Sequence, residues 1–272
     1  MLQTVAACAF STALVLSCAS APVPAPSASP RPGSPTATPP PSEPAPLPRA
    51  HDNAGEQGHA HGHDDAHAHG HEHDDTHPTA THRFDDVTHW VRVFDDPSRD
   101  AWQRPAYVVG LLALSPSDTV ADLGTGTGYF VPHLSKAVPK GQVLAVDVEE
   151  KLLEHVRQRA HKAGLGNVRT VLAKTDDATL PGGVSVVLLV NTYHHIGKRI
   201  AYFRAVGERL GQTGRVVIVD FKLGKFPVGP PDSHKLAPEK VEQELTAAGF
   251  GRCKRDDTLP YQYALVFSRA CR

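Results

Sequence analysis

The residues of this 272-residue chain whose types and spacing suit chemistry begin at 120–128, VADLGTGTG. A short apolar strand runs into Gly124, Gly126 and Gly128, with Thr125 and Thr127 between them. Without a Cβ, such a turn lets backbone approach a ligand closely. The helix pattern that follows aims its N-terminal N–H groups and positive dipole end at the same place. Asp122 stands just before the turn. A carboxylate beside an array of N–H donors suits a zwitterionic ligand better than a pyrophosphate. Asp147 comes 19 residues after Gly128, at the end of the next apolar strand. An acidic residue there can accept both hydroxyls of a ribose.

Further polar groups arrive after later strands. Thr175, Asp176 and Asp177 follow the third, and a carboxylate there can accept from an adenine amino group. Asn191, Thr192, Tyr193, His194 and His195 follow the fourth. Asp220 ends the fifth. An unperturbed imidazole titrates near neutrality, so His194 or His195 is a candidate general base, with Tyr193 a candidate substrate contact. A nicotinamide or flavin fingerprint is the competing reading of the glycine turn. It requires a third glycine where Tyr129 stands, so the pattern is Gly-x-Gly-x-Gly instead.

These groups need elements to carry them. From residue 102 the hydrophobic periodicity alternates between helix and strand. Helices are predicted over 102–114, 129–138, 149–163, 194–210 and 238–248. Strands are predicted over 119–123, 142–148, 167–173, 184–190, 215–221, 252–257 and 261–268. Gly164, Gly211 and Gly249 sit where helices should stop. Several strands are apolar on both faces, so both faces must be covered. The expected fold class is α/β, a doubly wound, seven-stranded, mostly parallel sheet with an antiparallel edge hairpin. Ligands in such sheets lie beyond the carboxyl ends of the strands.

The motif set, Asp122 with its glycine turn, Asp147, and the Asp176–Asp177 pair, resembles the class I S-adenosylmethionine-dependent methyltransferases over about residues 100–268. NTYHHI at 191–196 is similar to the small-molecule members of the ubiquinone/menaquinone-biosynthesis type. The resemblance implies S-adenosylmethionine as cofactor. Asp122, Gly124, Thr125, Gly126 and Gly128 would hold its methionine part, and Asp147 its ribose. Val148 and Asp176 or Asp177 would meet the adenine. Asn191 would line the methyl-transfer site. In this fold an N-terminal helix frequently lies over the cofactor, so Arg99 or Gln103 is placed to reach its carboxylate.

The first 82 residues read differently. Residues 5–16 form an apolar run ending at Ser17-Cys18, too short to span a bilayer. Residues 15–18, VLSC, resemble a bacterial lipobox, which would lipidate Cys18 and anchor the chain at the cell envelope. No Lys or Arg precedes the run, so a cleaved secretory signal, or a cytoplasmic chain with no signal, remains an alternative. Half of the 24 prolines fall within 22–48, a semi-rigid tether between 19 and 50. Nine of the 17 histidines fall within 51–77. His59, His61, His63, His67, His69, His71 and His73 alternate with Gly, Ala, Asp and Glu, a composition that loosely binds Zn, Ni or Cu. The domain proper is expected over 83–272. A formal net charge of −1 offers no basic surface for nucleic acid. A small-molecule acceptor is the expected partner. The competing reading is an envelope metal-binding lipoprotein with a non-catalytic domain. Cys253 and Cys271 flank the last hairpin at unequal distances from its turn; in an oxidising compartment they can pair.

Overall fold

The computed structural model describes residues 86–271. The signal-like segment with Cys18, the Pro-rich stretch and the histidines from His59 to His73 lie outside the described residues. Three short helices open the domain: α1 (Val87–Phe94), α2 (Arg99–Gln103) and α3 (Pro105–Leu111). There follow β1 (Thr119–Leu123), α4 (Val131–Ala137), β2 (Gln142–Asp147), α5 (Glu150–Lys162), β3 (Val168–Leu172) and β4 (Val184–Val190). The chain closes with α6 (Arg199–Arg209), β5 (Leu210–Phe221), α7 (Pro238–Ala247), β6 (Gly251–Asp256) and β7 (Gln262–Ser268).

The seven strands form one sheet in the order β3-β2-β1-β4-β5-β7-β6. The first five are parallel, and β7 pairs antiparallel with both β5 and β6. Strand order reverses between β1 and β4, which makes their C-terminal ends the crevice of the sheet. Alternate residues feed two cores. Val120, Val143, Val186 and Val217 pack on one face with Val108, Leu134 and Val156 from α3, α4 and α5. Ala121, Leu144, Leu189 and Ile218 pack on the other with Phe203 and Leu245 from α6 and α7. This double burial is why these strands read as continuous apolar runs.

The predicted helix over 102–114 is instead two. Arg104 takes a left-handed φ of 47° ahead of Pro105, whose ring disfavours helical backbone in the residue before it. The predicted helix from His194 is a short 3₁₀ turn, Tyr193–His195, separated from α6 by Gly197 and the left-handed Lys198. Gly211 caps nothing, since Leu210 is already extended and begins β5. Cys253 and Cys271 are disulfide-bonded, with Cα atoms 5.3 Å apart. The unequal hairpin arms do not prevent this, because the tail after β7 turns back toward β6.

Candidate functional site

The glycine turn is built for its backbone. All three glycines have positive φ, at 75°, 56° and 80°. A Cβ on Gly124 would stand 2.3 Å from the methyl of Thr192, and one on Gly128 3.0 Å from Val156. The loops after β1 and β4 therefore press together at the crevice. Gly124 and Thr125 also donate their N–H groups to the Val146 carbonyl, which fixes the turn onto β2.

Two carboxylates face this turn. Asp122 is 3% exposed and accepts from the Thr125 hydroxyl at 2.8 Å. Burial pushes its carboxyl up to about 6, and Asp147 nearby adds to the rise, while Thr125 and Arg99 oppose it. Asp147 receives the Gly126 N–H at 2.9 Å and the Glu149 N–H at 3.1 Å. Burial raises its carboxyl too, against those backbone donors. Two poorly solvated acids together favour a cationic guest.

Val148, next in the chain, is 47% exposed, an apolar residue at the mouth of the crevice. Asp176 and Asp177 are both exposed at the β3 end. Asp177 is engaged locally, accepting from the Thr179 N–H at 2.7 Å. Asp176 has no such partner among the described residues.

The N-terminal helices lie across the turn. The Phe94 ring would meet a Cβ on Gly126 at 3.6 Å. Asp95 accepts from the Thr127 hydroxyl and from Arg159, both at 2.9 Å. The Arg99 guanidinium stacks 4.0 Å from the centre of the Tyr129 ring and donates to the Phe94 carbonyl. Desolvation lowers its pKa to about 10, so it stays charged at neutral pH.

On the β4 side, Asn191 takes a left-handed φ of 56°, and its side-chain oxygen accepts from Gln262 at 2.6 Å. His194 is buried, with Nδ1 at 2.9 Å from the Asp220 carboxylate. His195 is half-buried, its ring 4.2 Å from that of His194. Tyr193 does not belong with them. Its ring is fully buried in the core and its hydroxyl donates to Glu244, away from the position expected of a substrate contact. Glu244 in turn pairs with Arg199 at 2.7 Å, both of them buried. Tyr193 therefore supports the loop from beneath, and that correction follows from burial. Gln103, Gln262 and Glu244 organise this side; Gln103, expected near the cofactor carboxylate, is fully buried with its amide donating to Gln262 at 2.8 Å, and sequence patterns single out neither Gln262 nor Glu244. Their only signal is a polar residue on an otherwise apolar face, which gives no partner.

Residues 120–221 match the family model of a methyltransferase domain. A solved S-adenosylmethionine-dependent methyltransferase from Aquifex aeolicus is 26% identical, with a TM-score of 0.62, over 67% of this chain and 97% of its own. Over this domain the chain is similar to S-adenosylmethionine-dependent methyltransferases. A putative O-methyltransferase from Nostoc punctiforme shares the fold at 20% identity and a TM-score of 0.54, covering 65% of this chain and 59% of its own. So does a TehB-like methyltransferase from Corynebacterium glutamicum, at 15% and 0.51, covering 66% and 98%. The methyltransferase cofactor is a cationic amino acid joined to a nucleoside. The glycine cradle, the two desolvated acids and the apolar Val148 fit that chemistry. Among the described residues no group of His, Cys, Asp and Glu is placed to hold a metal ion.

Proposed function

We propose that this methyltransferase acts on a small-molecule or lipid-like acceptor at the crevice between β1 and β4. One observation carries the reading: Asp122, the glycine turn, Asp147 and Asn191 come from three strand ends to one edge of the sheet. When bound, S-adenosylmethionine supplies a methyl group on a sulfonium, an already activated leaving group. The chain's task is to hold that group in line with the acceptor and exclude water.

In this assignment Asp122 and the turn of Gly124, Thr125, Gly126 and Gly128 hold the methionine part. Arg99, charged and half-buried above them, meets its carboxylate. Asp147 accepts from the ribose, and Val148 covers the adenine. Asp176 takes the adenine amine in preference to Asp177, whose carboxylate is already engaged in its own turn. His195 is the general base, more accessible than His194. His194, held by Asp220, packs behind it and sets its ring. Calorimetric titration of S-adenosylmethionine into the purified full chain tests the assignment. Micromolar affinity that Asp147→Ala weakens supports it, and absence of binding refutes it.

The Cys253–Cys271 pair supports a compartment that sustains disulfides, in keeping with the lipobox-like VLSC of 15–18. Fractionation of a Cys18→Ala variant tests the anchor; unchanged membrane partitioning rejects it.

A further inference from the structure

A line of four side chains runs from the N-terminal helices to the loop after β4. Arg99 donates to Gln103 Oε1 at 3.3 Å. Gln103 Nε2 donates to Gln262 Oε1 at 2.8 Å. Gln262 Nε2 donates to Asn191 Oδ1 at 2.6 Å. Gln103 and Gln262 are both fully buried, 159 residues apart in sequence.

The line has a direction. A guanidinium can only donate, so Gln103 must turn its oxygen toward Arg99. Its amide nitrogen then faces Gln262, which must answer with oxygen and pass its own nitrogen to Asn191. Asn191 Oδ1 is thereby consumed. Its NH₂ has no partner among the described residues.

We propose that Gln103 and Gln262 are positioning residues that carry the donor-only character of Arg99 to Asn191. Asn191 then presents N–H donors, and not a carbonyl oxygen, to the methyl-transfer side of the site. The group it meets there is one with lone pairs, an oxygen of the acceptor or of the bound cofactor. That last step rests on the assignment of Asn191 to the site made above. An apolar pair at 103 and 262 would fill the same space without fixing the amide, so the buried polar line costs desolvation that packing alone does not require.

A carboxylate placed in the line reverses it. With Gln103→Glu, the new carboxylate accepts from both Arg99 and Gln262, so Gln262 turns over and Asn191 must donate to it. Gln262→Glu has the same effect from the next position, accepting from Gln103 and Asn191 together. The test is hydrogen exchange of side-chain amides in the full chain, labelled with ¹⁵N at Asn and Gln. In the unaltered protein the Asn191 NH₂ exchanges as a free amide while those of Gln103 and Gln262 are protected. In either Glu variant the Asn191 NH₂ is expected to slow by about fivefold or more. A purely packing role predicts no change at Asn191, and that result in a folded variant overturns the relay. Titration with S-adenosylmethionine separates the two claims. If the unaltered protein binds it, the Asn191 NH₂ resonances are expected to shift. Binding with no shift, and with the same affinity in both variants, removes the relay from the site. No binding at all refutes the site assignment and leaves the polarity test standing.

Discussion

On the β1–β2–β3 side of the sheet, strand-end groups are held by partners close in the chain. Asp122 accepts from Thr125, three residues on, and Asp147 from Glu149, two residues on; Asp147 also reaches back 21 residues to the Gly126 N–H, so both are held by the glycine turn and the adjoining strand end. On the β4–β5–β7 side the side-chain to side-chain pairs are distant, although Asp220 also accepts from the adjacent Phe221 N–H at 2.8 Å. His194 meets Asp220 across 26 residues, Arg199 meets Glu244 across 45, and Asn191 meets Gln262 across 71. A nucleotide-bearing cofactor needs a turn of fixed shape, which local backbone chemistry can specify. On the side proposed for the acceptor, long-range polar pairs fix the side chains in space.

The sharpest way to break this contrast is to remove a buried partner on the distant side. Arg199→Met leaves the Glu244 carboxylate buried beside Tyr193, with only Lys240 at 3.5 Å to compensate. The expected cost is about 3 kcal/mol or more of unfolding free energy, read from denaturant melts. Affinity of the remaining folded protein for S-adenosylmethionine should stay within about twofold, the limit for weakly coupled sites. A parallel loss of affinity would mean that the two sides are not separable. Opening the disulfide comes next in size. It closes a separation of 18 residues, so reduction is expected to cost about 3 kcal/mol on the chain-entropy account, again without touching cofactor affinity.

That contrast also explains how much of the molecule was legible in its sequence. The order of strands, the sheet type and the glycine turn follow from periodicity and from residues within a few positions of each other. Asp122 and Asp147 were readable for the same reason. The role of Tyr193 was not, because nothing near it reveals that Glu244 will lie at its hydroxyl. Gln103 could be singled out beside Arg99, but its partner could not: Gln262 is one polar residue between Tyr261 and Tyr263, and only the antiparallel return of β7 beside β5 brings the two together. The break at Arg104 was available from Pro105, but the apolar spacing on either side masked it.

On the local side the largest single effect is expected from Asp147→Ala. The change removes an acceptor for the ligand and also releases the N–H groups of Gly126 and Glu149. Loss of a charge-assisted bond together with this anchoring is expected to cost about 2 kcal/mol, roughly thirtyfold in affinity for S-adenosylmethionine. Calorimetry reads it directly, and a change below about threefold would move the ribose away from Asp147.

Asp122 sharpens the contrast through pH, and the signs for folding and for binding are opposite. Its carboxyl stands at about 6 in the ligand-free fold against 3.8 for an unperturbed group. The folded chain thus holds this proton more tightly than the unfolded chain. The stabilisation this gives is complete below about pH 4 and is lost as pH rises through 6. Binding of a cationic amino acid runs the other way, because it requires the ionised carboxylate. Between pH 5 and 7 the affinity for S-adenosylmethionine is therefore expected to rise roughly tenfold and to level off above 7, with protons released per ligand bound falling from about 0.9 at pH 5 to about 0.1 at pH 7. Asp122→Asn should flatten the profile while lowering the affinity at pH 7. Repeating the calorimetry in buffers of different ionisation enthalpy counts the proton. A flat profile in the unaltered protein would place the cationic end of the ligand away from Asp122, and the local half of the site would then be organised around Asp147 alone.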